Sequence, residues 1–72
     1  MSGLIKRSFS LAGHRTSVAL EAEFWDALAG MAASEGVSLA ALVARTDAER
    51  DAARPLASAL RVAALAAAKK SG

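Results

Sequence analysis

The 72-residue sequence contains no cysteine and only one histidine, His14. Disulfides and thiolate metal sites are therefore excluded, and a single imidazole does not make a histidine-rich metal centre. A chain of this length buries only about 60% of the surface that its unfolded form exposes, so small chains often add disulfides, a metal or a second subunit. The composition leaves oligomerisation as the favoured means of stabilisation, and we expect no metal and no cofactor.

Patterns that support catalysis are also missing. The chain has no tyrosine and no glycine-rich phosphate-binding loop between a strand and a helix. Serines are present, but no base is visibly placed to activate one of them. The sequence therefore predicts a protein that is not an enzyme.

Long hydrophobic runs are absent as well. The alanine-rich stretch 56–68 is shorter than the about 20 residues that a membrane-spanning helix needs. The amino-terminal residues contain no apolar run long enough for a signal peptide, and the lack of cysteine fits a reducing cytosol. We expect a cytoplasmic protein without membrane contact.

Acidic residues are absent from the first 20 positions, which contain Lys6, Arg7 and Arg15. All the acids lie between Glu21 and Asp51, although the net charge is only +2. A basic segment without acids suits a polyanionic partner, while basic termini are also common simply because they aid solubility.

Hydrophobic periodicity predicts one strand and three helices. Alternation favours a strand, helical spacing then begins at about residue 22, and Gly36 and Ser38 have the residue types that end one helix and cap the next. Gly13 permits a turn or bulge before the strand. The predicted organisation is a flexible basic arm and extended lead-in at 1–13, a core at 14–46, a polar linker at 47–55 and a C-terminal helix at 56–69.

A single strand in water leaves its backbone donors and acceptors unpaired. A two-fold dimer in which residues 14–20 pair antiparallel with the same residues of a second copy solves this problem. Val18 and Leu20 then face the helices of both chains. The alternating residues Arg15, Ser17 and Ala19 then face solvent, and the two-fold symmetry doubles them.

The strand, the helix, the Gly36-x-Ser38 connection and the second helix together resemble the ribbon-helix-helix family, which includes the Arc and Met repressors. The segments GHRTSVALEAEFWDAL and LASALRV are similar to a bacterial subgroup with an extra C-terminal helix. The resemblance implies a mainly α fold: a homodimer with an intermolecular two-stranded antiparallel β-ribbon and an additional helix.

The resemblance also implies that the outer face of the ribbon enters the major groove of double-stranded DNA, where all four base pairs differ. Carried over by position, the base contacts are Arg15, Ser17 and Ala19. Arg15 matches guanine, whereas Ala19 departs from the polar residue usual there. The implied phosphate contacts are Lys6, Arg7, Ser38, Leu39 and Ala40, the last three because a helix N-terminus without acids attracts anions. The implied dimer core is Val18, Leu20, Phe24, Trp25, Leu28 and Leu42.

Each of these residues also has a purely structural interpretation. Arg15 and Ser17 also fit the pattern of solvated strand residues, with DNA contact the favoured interpretation for Arg15, and Ser38 caps a helix whether or not it binds a phosphate. Phe24 and Trp25 lie on a helix and are core residues before any stacking role.

The predicted function is that of a dimeric transcriptional regulator, a repressor, that binds double-stranded DNA. Two alternatives remain. The chain could be the antitoxin of a toxin–antitoxin pair, with a protein partner at the C-terminal helix, or a helical adaptor that binds protein only.

Overall fold

The computed structural model describes residues 3–71, so residues 1 and 2 of the predicted arm lie outside the described residues. Two strands are followed by three helices. Their bounds are β1 Leu4–Leu11, β2 His14–Glu21, α1 Ala22–Glu35, α2 Leu39–Glu49 and α3 Leu56–Ser71. The described part of the chain is therefore mainly helical, with one two-stranded antiparallel sheet.

The structure differs from the sequence prediction at the amino end. Residues 4–11 form a strand instead of a flexible arm and lead-in, and this strand pairs antiparallel with β2 of the same chain, from Leu11 opposite His14 to Leu4 opposite Glu21. β1 and β2 thus form a hairpin within one chain, which was not predicted from the sequence. One edge of β2 carries β1, and pairing of the other edge with a second copy stays a prediction.

The hairpin turns through two residues, Ala12 and Gly13. Both have positive φ, 51° and 82°, which is the backbone of the type I′ turn that joins strands of right-handed twist. Glycine adopts this conformation without cost, whereas alanine does not. Gly13 therefore makes the turn that the sequence analysis allowed at this position.

The two helix boundaries predicted around residue 36 are confirmed. Gly36 is left-handed at the end of α1, with φ 72°. The side chain of Ser38 caps α2 by accepting a hydrogen bond from the backbone N–H of Ala41 at 3.0 Å. The helix α2 runs to Glu49, three residues into the predicted linker, and Thr46 lies inside it, where its hydroxyl donates to the carbonyl of Leu42 at 3.0 Å.

One hydrophobic core joins the inner face of the hairpin to all three helices. Its fully buried large side chains are Leu20, Leu28, Leu42, Val43 and Leu60. Burying each of these contributes about 1.5–3 kcal/mol. Because Leu60 belongs to α3, the C-terminal helix is part of this core and not an appendage to it.

Most residues predicted for the dimer core are already buried within one chain. Val18, Trp25 and Leu42 are at most 4% exposed, as are Leu20 and Leu28, and only Phe24 is half-buried. The cover that the sequence analysis expected from a second copy comes here from β1 and α3. A role for these residues in a dimer stays a prediction.

Among residues 3–71, no single helix is both long and apolar enough to cross a membrane; α1 and α2 reach that length and composition only together, across a bend of 99°.

Candidate nucleic-acid interface

The three predicted base contacts lie side by side on the outer face of the hairpin. Side chains alternate between the two faces of a strand, so Arg15, Ser17 and Ala19 point away from the core on which Val18 and Leu20 pack. Arg15 and Ser17 are exposed and Ala19 is half-buried. The structure thus brings the three predicted side chains together on one solvent-facing surface.

The strand β1 adds three polar side chains to this surface. Lys6 lies opposite Ala19, Ser8 opposite Ser17, and Ser10 opposite Arg15, and cross-strand partners share a face. The Oγ atoms of Ser8 and Ser17 lie 3.1 Å apart in a hydrogen bond. We call these six residues, Lys6, Ser8, Ser10, Arg15, Ser17 and Ala19, the outer ribbon face.

The contribution of Ser8 and Ser10 to this face was not predicted from the sequence, and Lys6 was predicted to lie on a flexible arm. The signal that could have found them is the Ala12-Gly13 pair. A two-residue turn at that point fixes every cross-strand pair along the hairpin.

Arg7, the second predicted phosphate contact from the arm, lies on the opposite face from Lys6. Its guanidinium carbon stands 5.4 Å from the centroid of the Trp25 ring, a cation–π distance. Trp25 in turn donates a hydrogen bond from Nε1 to the carbonyl of Ile5 at 2.8 Å, and Phe9 packs against its ring at 5.9 Å between centroids. This cluster attaches β1 to α1 and holds the hairpin in place.

The acidic end of the hairpin is neutralised by the C-terminal helix. The Arg61 guanidinium donates to Oε1 of Glu21, with Nη2 at 3.1 Å, and lies 5.7 Å from the centroid of the Phe24 ring. The backbone hydrogen bond at Glu21 and then the bond from Arg61 lower the pKa of this carboxyl. Glu21 is the only acid on either strand, so its pairing with Arg61 leaves the outer ribbon face with uncompensated positive charge.

The start of α2 has the features expected of an anion site but only one side-chain donor or acceptor. No acid lies in its first turn, and the Ser38 hydroxyl already accepts the N–H of Ala41. Leu39 and Ala40 therefore have only their backbone N–H groups to offer an anion, at the positive end of the helix dipole. The structure places Ser38, Leu39 and Ala40 together at this terminus, and their contact with a phosphate stays a prediction.

A surface ion pair joins α1 to α2. Both terminal nitrogens of Arg45 donate to the Glu35 carboxylate, Nη1 to Oε1 at 2.7 Å and Nη2 to Oε2 at 3.2 Å. The bonds from Arg45 lower the pKa of Glu35, and the same contact raises the pKa of Arg45. This bidentate pair spans the connection that contains Gly36 and Ser38, which precedes the α2 N-terminus.

A basic antiparallel β-ribbon followed by a helix pair is the architecture of β-ribbon DNA-binding proteins. The family model for the ribbon-helix-helix domain matches residues 4–68, and the chain belongs to this family. The match begins at the first residue of β1, and it includes nearly all of α3. Members of the family are typically DNA-binding transcription regulators, and the family is not one of enzymes. Searches of curated proteins and of solved structures found no match.

Proposed function

We propose that this chain is a transcriptional regulator that binds double-stranded DNA by inserting the outer ribbon face into the major groove. The observation that supports this proposal most directly is that Arg15, Ser17 and Ala19 lie in one row on the solvent side of a two-stranded ribbon. The major groove is about 12 Å wide and accepts a ribbon of this kind. A small protein that fills the groove excludes other proteins from the same DNA, so we propose that it acts as a repressor.

The base contacts follow from side-chain chemistry. The planar fork of Arg15 matches O6 and N7 of guanine, a pairing worth about 1–3 kcal/mol of discrimination. The Ser17 hydroxyl both donates and accepts, and so it discriminates weakly. Ala19 offers only a methyl group, which suits contact with the methyl of thymine.

We further propose that the regulator is a homodimer, because ribbon-helix-helix domains generally dimerise. Leu4, Val62 and Leu65 are between 50% and 58% exposed in the single chain, and burying them against a second copy would remove their apolar surface from water. The mass in solution, by analytical ultracentrifugation across a range of protein concentrations, tests the dimer. A single species of 7.3 kDa at all concentrations would contradict it.

Selection of bound duplexes from a random pool, followed by affinity measurements with Arg15→Ala, tests the DNA-binding proposal. We expect Arg15→Ala to lose roughly 5- to 150-fold in affinity for the selected duplex, from the 1–3 kcal/mol above, with an unchanged circular dichroism spectrum. Arg54→Ala is the matched control, because Arg54 is an exposed arginine in the loop before α3. Equal affinities for all three proteins would contradict the assignment of Arg15.

The salt dependence of binding tests the share of phosphate contacts. With about three phosphate contacts from each protomer, including those at the start of α2, log K falls with log salt at a slope of about −5. Binding that does not change with salt would contradict a DNA-binding role.

The exposed Val62 and Leu65 of α3 also favour a protein partner, as in an antitoxin or a protein-only adaptor. An antitoxin tail is expected to be disordered without its toxin, whereas α3 buries Leu60 completely against the rest of the chain. Resistance of residues 56–69 to protease in the absence of any partner favours the regulator, and rapid cleavage there favours the antitoxin. Failure to retain any duplex favours the adaptor.

A further inference from the structure

The ion pair between Arg61 and Glu21 links α3 to the part of the molecule that is proposed to bind DNA. Glu21 is the last residue of β2. Because side chains alternate between the two faces of a strand, Glu21 shares a face with the three predicted base contacts and lies about 7 Å beyond Ala19 at the usual rise per residue. No other acid occurs in the first 21 residues. One carboxylate therefore lies beside a row of side chains that is proposed to approach a polyanion.

The Glu21 carboxylate is charged at neutral pH, and the helix that follows it does not use this charge. A backbone hydrogen bond at Glu21 and the bond from Arg61 lower the pKa of the carboxyl. Glu21 is the N-cap residue of α1, but its side chain forms no capping hydrogen bond. The carboxylate is therefore not neutralised by the free N–H groups of α1, and without another partner it would repel the phosphates of a bound duplex.

Two contacts hold the Arg61 guanidinium against this carboxylate. Its Nε and Nη2 atoms donate to Oε1 of Glu21 at 3.3 and 3.1 Å, and its central carbon lies 5.7 Å from the centroid of the Phe24 ring. The neighbouring Leu60 of α3 is fully buried, which fixes the backbone from which Arg61 extends. An exposed ion pair by itself stabilises little, so the ring and the packing of α3 are what keep the cation beside Glu21.

We propose that Arg61 is a positioning residue for DNA binding, which acts by neutralising Glu21 at the end of the strand and not by contacting the duplex. This inference rests on the proposed DNA binding, and it gives α3 a part in that function. A chain without the guanidinium would present a bare carboxylate next to the base-contacting row. For a phosphate about 7 Å from that carboxylate, Coulomb repulsion weakens binding by roughly 3-fold at the dielectric constant of water and by roughly 50-fold at a value of about 20.

A double-mutant cycle on the full-length protein tests the proposal, with dissociation constants measured on the duplex selected by the wild type and on an unrelated duplex. Arg61→Ala should weaken binding by roughly 3- to 50-fold, and by a similar factor on both duplexes because a charge reads no sequence. Glu21→Gln should bind at least as tightly as the wild type. The double variant has the same net charge as the wild type and should recover most of the affinity that Arg61→Ala loses.

The cycle separates the charge effect from a packing effect of the same substitution. The double variant lacks Arg61 just as Arg61→Ala does, so a recovery of affinity cannot come from restored packing of α3. The loss in Arg61→Ala should also shrink as salt is raised, because charges are screened beyond about 10 Å at 0.1 M salt and beyond about 3 Å at 1 M. A loss of packing would persist at high salt.

Arg50→Ala is the matched control for the change in net charge. Arg50 pairs with Asp47 at 2.9 Å and is the C-cap residue of α2. Its removal also leaves a carboxylate without its cation, but at the opposite end of α2 from the predicted anion site. This variant should lose much less affinity than Arg61→Ala, and equal losses in the two variants would overturn the proposal.

Two further results would overturn the role of Arg61 while leaving the proposed DNA binding intact. The first is wild-type affinity in Arg61→Ala. The second is a loss in Arg61→Ala that Glu21→Gln does not relieve, which would indicate a direct phosphate contact or a displaced helix. If the wild type itself retains no duplex, the proposed function fails, and the role of Arg61 fails with it.

Discussion

Glycine-to-alanine substitutions at Gly13, in the hairpin turn, and at Gly30, in α1, measure the energetic cost of the left-handed backbone in the turn. Gly13 has φ +82°, and Gly30 lies inside α1. At both positions an added Cβ meets no atom within 4 Å. The same methyl group is therefore added in open space twice, and only the backbone conformation differs.

The two variants are expected to change stability in opposite directions. An L-residue in the left-handed region costs about 1–2 kcal/mol, partly offset because alanine reduces the freedom of the unfolded chain, so Gly13→Ala should lose about 1 kcal/mol. Gly30→Ala should gain about 0.5–1 kcal/mol, the difference in helix propensity. For a domain of this size each kcal/mol moves the midpoint by about 4–8 °C, which places the two variants roughly 6–16 °C apart.

Thermal unfolding followed by circular dichroism measures both midpoints against the wild type. Because the turn lies within one chain, the loss in Gly13→Ala should not depend on protein concentration. If Gly13→Ala matches the wild type while Gly30→Ala is stabilised, the turn is not formed and β2 pairs with something other than β1. Ala12→Asn provides a check of opposite sign, because asparagine tolerates the positive φ better than alanine, and this variant should raise the midpoint.

Four further predictions concern the core, a helix cap, the hairpin anchor and the response to acid. Leu60→Ala should lower the free energy of unfolding by about 2–5 kcal/mol, measured by urea denaturation; a loss below 1 kcal/mol would show that α3 is not packed as described. Ser38→Ala should cost about 1 kcal/mol in the same assay, and an unchanged midpoint would contradict the cap. Trp25→Phe removes the bond to the Ile5 carbonyl and should increase amide exchange in β1, with equal exchange contradicting the anchor. Folding lowers the pKa values of Glu21 and Glu35, so the folded state binds fewer protons than the unfolded state. The contribution of these two carboxylates to the free energy of unfolding is therefore complete above the usual pKa of 4.5 and is lost as the pH falls below it. Thermal midpoints measured between pH 3 and 7 should show this loss.

The hairpin was not predicted because the pairing parity reverses at a two-residue turn. Along a continuous strand, odd and even residues face opposite sides, which separates Phe9 from Val18. In the hairpin each pair of partners sums to 25, as in Phe9 with Thr16 and Arg7 with Val18, so an odd residue of β1 shares a face with an even residue of β2. The apolar residues of both segments therefore face the same core.

Arg7 also interrupts the alternation of polar and apolar residues in β1, which made the strand harder to predict. It occupies an inward position between Ile5 and Phe9, where a strand pattern calls for an apolar residue. Its guanidinium lies over the Trp25 ring, and nothing in the local sequence shows that a ring 18 residues further along the chain will be there. Long-range contacts of this kind are what periodicity arguments leave out.

The helix boundaries were predictable because their causes are local. Gly36 supplies a left-handed backbone, and Ser38 caps the next helix through a bond within its own first turn. The end of α2 was less predictable, since Thr46 and Glu49 match a capping box but lie within the helix. The Thr46 hydroxyl bonds back to Leu42 instead, and Arg50 holds the following loop by donating to Asp47 and to the carbonyl of Arg54.

The ion pair between Arg61 and Glu21 has a consequence for how the chain can be dissected. It joins α3 to the last residue of β2, and the neighbouring Leu60 of α3 is fully buried. Deletion of residues 56–71 would therefore expose the apolar inner face of the hairpin to solvent. A chain shortened to its strands and first two helices is expected to be insoluble or unfolded. Attempts to map DNA binding onto parts of this protein need point substitutions, because the molecule does not divide into separable pieces.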